Sequence, residues 1–167
     1  MKLKLIVVCL AIALMQITPS DAQSISPAGH YTKKRYGPGD LWVQKAGAEW
    51  RIFVWAGGAP RGPATTQDCA LIAVGAIEGK TFQGEIKYTF DASEFKAQRK
   101  AGLDYLKGGS SKPSYSSANS DDVEDVEAGH KLTITFAPQS ATVNDVDWEA
   151  PCPPHAGIFG RYTKRRK

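Results

Sequence analysis

Three histidines, His30, His130 and His155, are the side chains of this chain best suited to move a proton or hold a metal near neutral pH. No two of them stand two or four residues apart, the spacing that turns two imidazoles toward one ion from a strand or a helix. Asp145 and Asp147 would share one face of a strand. A glycosidase pair needs one carboxyl in an apolar pocket and the other ionised, and nothing around these two supplies that contrast. No Gly-x-Ser-x-Gly elbow occurs. Asp121, Asp122, Glu124, Asp125 and Glu127 would attract calcium, but an EF-hand loop counted from Asp121 or Asp122 puts Val126 or Glu127 where glycine is needed. The loop Gly57-Gly58-Ala59-Pro60-Arg61-Gly62-Pro63 lacks the Gly-Lys-Ser/Thr ending of a phosphate cradle. These patterns predict a protein with no catalytic residue, no metal and no cofactor.

The N-terminus reads as an export signal. Lys2 and Lys4 precede an apolar run, Leu5 to Met15, that is too short to span a bilayer, and small and polar residues follow, with cleavage expected after Ala22. The expected domains are therefore a signal peptide over 1–22 and a single barrel domain over 23–167. Outside the signal no stretch is long and apolar enough to cross a membrane as a helix. Taking Lys2, Lys4 and Asp21 from 21 Lys+Arg and 17 Asp+Glu leaves 19 and 16, a net charge of +3. That balance is too weakly basic for a duplex-binding surface, so no nucleic-acid partner is expected. An exported chain that keeps two cysteines, Cys69 and Cys152, is expected to join them in a disulfide, worth about 4 kcal/mol on a chain-entropy argument.

The elements that must carry these residues are mostly strands. Short β-prone or alternating runs occur at Tyr31 to Arg35, Asp40 to Ala46, Trp50 to Trp55, Cys69 to Ile77, Phe82 to Phe90, Lys131 to Phe136, Ala141 to about Trp148, and Ile158 to Lys164. Trp50 to Trp55 is apolar almost throughout, so both of its faces must be covered or used. Ser93 to Leu106 has helical spacing, and the Gly/Ser-rich and acidic stretches after it make 92–128 one helical and partly disordered insertion between strands five and six. Residues 29–35, Gly-His-Tyr-Thr-Lys-Lys-Arg, return as 160–166, Gly-Arg-Tyr-Thr-Lys-Arg-Arg, with five of seven positions identical. Two copies at the two ends of the mature chain are what neighbouring first and last strands of a closed barrel would show. The fold expected is all-β: an eight-stranded antiparallel up-and-down barrel, with an open two-sheet sandwich as the alternative. Tyr31 and Tyr162 would then fall near each other, and the basic clusters Lys33-Lys34-Arg35 and Arg161 to Lys167 would point to opposite rims.

The pattern resembles the calycin-type small barrels, the lipocalin and avidin-like folds. Gly29-His30-Tyr31 stands where those families open with a Gly-x-Trp-like strand, and Gly160-Arg161-Tyr162 fits their closing strand. In size, compartment and fold the chain is also similar to periplasmic lysozyme inhibitors, whose characteristic inhibitory segments it lacks. The resemblance implies a periplasmic or secreted barrel that binds rather than catalyses.

The leading expectation is a non-enzymatic binding protein of the cell envelope, most concretely an inhibitor of a lysozyme-like hydrolase. Loops 57–67 and 149–157 would make the contact, with Arg61 and Trp148 as anchors and His155 beside them. A second reading is a carrier of a small apolar ligand in a hollow interior lined by aromatics from among Trp42, Trp50, Trp55, Tyr88 and Phe90. A hydrolase working through the carboxylates near Asp145 is the third.

Overall fold

The computed structural model describes residues 26–35, 37–57, 69–90, 95–109, 112–113, 123–146 and 157–166. Alternation of apolar and polar residues becomes nine strands: β1 (Gly29–Lys33), β2 (Gly39–Ala46), β3 (Glu49–Ala56), β4 (Cys69–Glu78), β5 (Thr81–Phe90), β6 (Val123–Asp125), β7 (Lys131–Ala137), β8 (Ser140–Val146) and β9 (Gly160–Lys164). One helix, α1 (Phe95–Leu106), lies between β5 and β6. All pairings are antiparallel, in the order β4-β3-β2-β1-β9-β8-β7-β5, and β4 pairs with β5 to close the ring. The barrel therefore has eight staves in up-and-down order, as the sequence pattern predicts. β6 does not add a stave. It lies beside the end of β5, at Tyr88 to Phe90, while β7 lies beside the start of the same strand. The expected insertion between strands five and six is there, with α1 in it, and three residues of its acidic stretch rejoin the sheet. Val123 stands opposite Phe90.

Short turns at 47–48, 79–80 and 138–139 join strands at one end of the barrel. Gly47 and Gly79 sit at φ of +64° and +59° in two of them, the left-handed geometry that tight hairpins need and a side chain resists. The connections 34–38, 57–68, 91–122 and 147–159 all leave from the other end. At the β4–β5 wall Gly75 stands opposite Gly84. A Cβ on Gly75 would lie 2.2 Å from the Gln83 carbonyl oxygen, and one on Gly84 would lie 2.2 Å from the Phe82 ring. The bare pair lets the two strands approach and lets Phe82 fold over the gap.

The strands carry two apolar layers. Leu41, Ile52, Val54, Leu71, Phe82, Ile86, Leu132, Ile134 and Phe136 point inward with Tyr31 and Tyr162 and are buried. On the outside Trp42, Phe53, Ile72 and Phe90 form a second cluster with Ala101 and Leu106 of α1. Both faces of β3 are thus covered, Ile52 and Val54 by the interior and Phe53 by the helix side. Elsewhere the outer wall is polar, with Thr133, Thr135, Thr142, Asn144, Arg161 and Thr163 facing away from the core.

β1 and β9, the repeated heptapeptides, seal the ring. Tyr31 stands opposite Lys164 and Thr32 opposite Thr163, and the Arg165 amide donates to the His30 carbonyl at 2.8 Å. Both tyrosines are fully buried in the interior cluster, and each hydroxyl donates 2.7 Å to the carbonyl four residues upstream, Tyr31 to Pro27 and Tyr162 to Ile158. The lysines cross over. Lys33 Nζ lies 5.1 Å from the Tyr162 ring centre, and Lys164 Nζ lies 5.4 Å from that of Tyr31. Each also donates to a backbone carbonyl, Lys33 to Phe159 at 2.9 Å and Lys164 to Ser26 at 2.8 Å. Equivalent surroundings predict equivalent losses. Tyr31→Phe and Tyr162→Phe should each cost about 1–2 kcal/mol, because a buried carbonyl loses its donor. Urea unfolding of the two single variants measures this, and losses differing more than about twofold in that range would show the two copies not to be equivalent.

Candidate functional site

Register, more than composition, decides which side chains meet. Across the outer wall the pairing aligns His30 with Trp42, Trp42 with Phe53, Phe53 with Ile72, and Ile72 with Tyr88. The His30 ring stacks on Trp42 with centres 4.6 Å apart and planes 6° from parallel. Trp42 stacks in turn on Phe53 at 5.3 Å, and Phe53 meets Phe90 edge-on at 5.7 Å. His30 Nε2 is 2.5 Å from Asp40 Oδ1, with both side chains about one-fifth exposed. A histidine held by a carboxylate is the pairing that orients a general base. Here the ring lies face-on to an indole and its Nε2 is engaged by Asp40, an arrangement suited to stiffening the β1–β2 wall.

Helix α1 is fixed over this row at its C-terminal end. Arg51 of β3 donates through Nη1 to the carbonyls of Tyr105 at 2.8 Å and Gly109 at 2.7 Å, and its guanidinium lies 4.5 Å from the Tyr105 ring centre. A cation at the last carbonyls of a helix satisfies groups that have no partner within it. Tyr88 meets Tyr105 edge-on at 5.4 Å. Midway along the helix Gly102 rests against Phe53, where a Cβ would come within 2.8 Å of the ring. Near the N-terminal end Arg99 lies 5.3 Å from the Trp42 ring centre.

A second polar feature lies at the end that carries the long connections. Lys33 follows Tyr31 on the inward face of β1 and is only 5% exposed. Its stem crosses Gly39, where a Cβ would stand 2.8 Å from Cε. Burial pushes its amine down to about 8 from the usual 10.5. Burial raises the Tyr31 phenol to about 12 and lifts Tyr162 further, with the nearby charge of Asp40 adding to the latter.

Of the residues singled out in the sequence, Trp55 lies on the outer face of β3, between Asp40 of β2 and Ala70 of β4, half-buried against the helix-side cluster. Trp42, Tyr88 and Phe90 share that outer layer, and only Trp50 packs toward the interior. Trp42, Trp55, Tyr88 and Phe90 thus belong to the outer cluster with α1, whereas Trp50 on β3 and Phe82 on β5 belong to the interior one. Cys69 is buried at the start of β4. Arg61, Trp148, His155, Cys152 and Asp147 lie outside the described residues, and Asp145 is in β8 opposite Thr133. The His30–Asp40 pair was missed. Laying the β1–β2 hairpin out about its Gly37-Pro38-Gly39 turn would have shown the two as diagonal neighbours on one face.

No family model, no curated protein and no solved structure matches this chain. Among the described residues no helix is long and apolar enough to cross a membrane, and no three metal-ligating side chains gather.

The buried lysine and tyrosines set a pH dependence. Between about 8 and 10.5 the unfolded lysine keeps a proton that folded Lys33 has released, so raising the pH favours the folded state. Above the ordinary phenol value of 10.0 the unfolded tyrosines lose protons that Tyr31 and Tyr162 keep, and stability falls. The urea midpoint should rise from pH 8 to about 10 and then drop. Lys33→Met should abolish the rise and leave the drop, and a rise of the same size in that variant would remove Lys33 as its source.

Proposed function

We propose that this chain is an exported, non-enzymatic binding protein of calycin-like architecture that engages a macromolecule of the cell envelope through the rim carrying its long connections. One observation carries the reading. Connections 34–38, 57–68, 91–122 and 147–159 leave from one end of the barrel, and the opposite end has two-residue turns. A closed barrel with recognition segments grouped at one end is a rigid mount for contact residues, and rigidity lowers the ordering cost of binding. Arg61 belongs to the 57–68 connection, and Trp148 and His155 belong to the 147–159 connection, so the residues proposed for contact fall in segments that share a rim.

The disulfide belongs to the same proposal. Cys69 opens β4 at this rim, and Cys152 belongs to the connection that leaves β8 at the same end. A Cys69–Cys152 link would tie the two contact loops to one another and limit how far either can wander. Bulky buried side chains on the inward faces of the strands favour this reading over the carrier, which needs an interior of about 300 Å³ or more left open. The proposed compartment is the periplasm or the exterior, reached through cleavage of residues 1–22.

An inhibitor of a lysozyme-like hydrolase is the most concrete form of the proposal. Excess purified mature protein should slow turnover by at least one of several lysozyme types, and Arg61→Ala or Trp148→Ala should weaken the effect about tenfold or more. Undiminished turnover across all types removes the inhibitor. The broader envelope reading then rests on a pull-down from envelope extract with the same two variants as controls, and a partner retained equally by both would place the contact elsewhere.

A further inference from the structure

The inner side of α1 holds a polar group that the fold leaves unsatisfied. Gln98 is fully buried, and among the described residues neither its Oε1 nor its Nε2 has a hydrogen-bond partner. A buried amide without partners is a standing penalty, and an apolar side chain of the same size would cover the wall better if the helix were only a lid. Gln98 is one turn ahead of Gly102 and two ahead of Tyr105, so it faces the same β2–β3 wall. The turns behind it are held by Phe53 and by Arg51, and among the described residues no side-chain hydrogen bond holds Gln98. The next residue, Arg99, is exposed with its guanidinium near Trp42, and among the described residues it enters no ion pair.

We propose that the seam between the first turns of α1 and the β2–β3 wall is a binding site for an extended acidic peptide segment. A carboxamide presents an acceptor and donors in one plane, and one residue of an extended peptide presents a matching N–H and C=O along its edge. A helix has already paired those groups within itself, which favours extended backbone as the occupant. Apolar side chains of the peptide rest beside Trp42, and a carboxylate next to them meets Arg99. Entry needs only the first turn of α1 to lift, since its last turn stays clamped by Arg51. The site is on the outer wall and does not depend on what the rim binds.

Random decapeptides displayed on phage and panned over the immobilised mature protein test this. The wild-type protein should enrich peptides in which an acidic residue adjoins an apolar one. A synthetic copy of an enriched peptide should bind Gln98→Leu and Arg99→Glu at least tenfold more weakly. Gln98→Leu should at the same time raise Tm by about 2–4 °C, because it removes an unpaired amide from a packed seam, so its lost binding cannot come from unfolding. No enrichment of acidic peptides, equal binding by Gln98→Leu, or a Tm that stays or falls would each overturn the proposal.

Discussion

Closure through β1 and β9 is the constraint on which the other features depend. Without it β1 and β9 would be two open edges, and the interior that shelters the two phenols would admit water. The seam is made by two copies of one short sequence running in opposite directions, so each tyrosine of one copy is covered by the lysine of the other. The crossing explains the strained chemistry at Lys33. Its amine is held in a place that serves the seam and suits the charge poorly, with one carbonyl and one ring face for company.

The two apolar layers divide the work of the sheet. The inner layer lines the barrel interior, and the outer layer gathers residues of β2, β3, β4 and β5 with α1. Beyond the helix the outer wall turns to threonine, asparagine and arginine. Helix, aromatic row and Arg51 clamp form one unit, in which the sheet supplies the hold on the helix end and the helix supplies cover for the rings.

Much of the fold was legible in the residues and part of it was not, for physical reasons. The repeated heptapeptide revealed the closing seam, because similar surroundings select similar side chains. The spacing of Leu103 and Leu106 marked α1, which spans Phe95–Leu106. β6 was hidden because three residues in an acidic run carry no period, and only the neighbouring end of β5 makes them a strand. The facing of Trp55 was hidden for a different reason. A run apolar at nearly every position fits either parity, and the choice is made by where α1 lies. The contact residues proposed in the 57–68 and 147–159 connections were chosen by composition, and strand order adds that those connections share an end.

The up-and-down order has a topological consequence. β1 begins and β9 finishes side by side at the end of the two-residue turns, where a short linker would make one more hairpin. The meander is in that sense cyclic. A circular permutant opened at 79–80, with old head spliced to old tail, would keep every rung of the ladder and leave the opposite rim untouched.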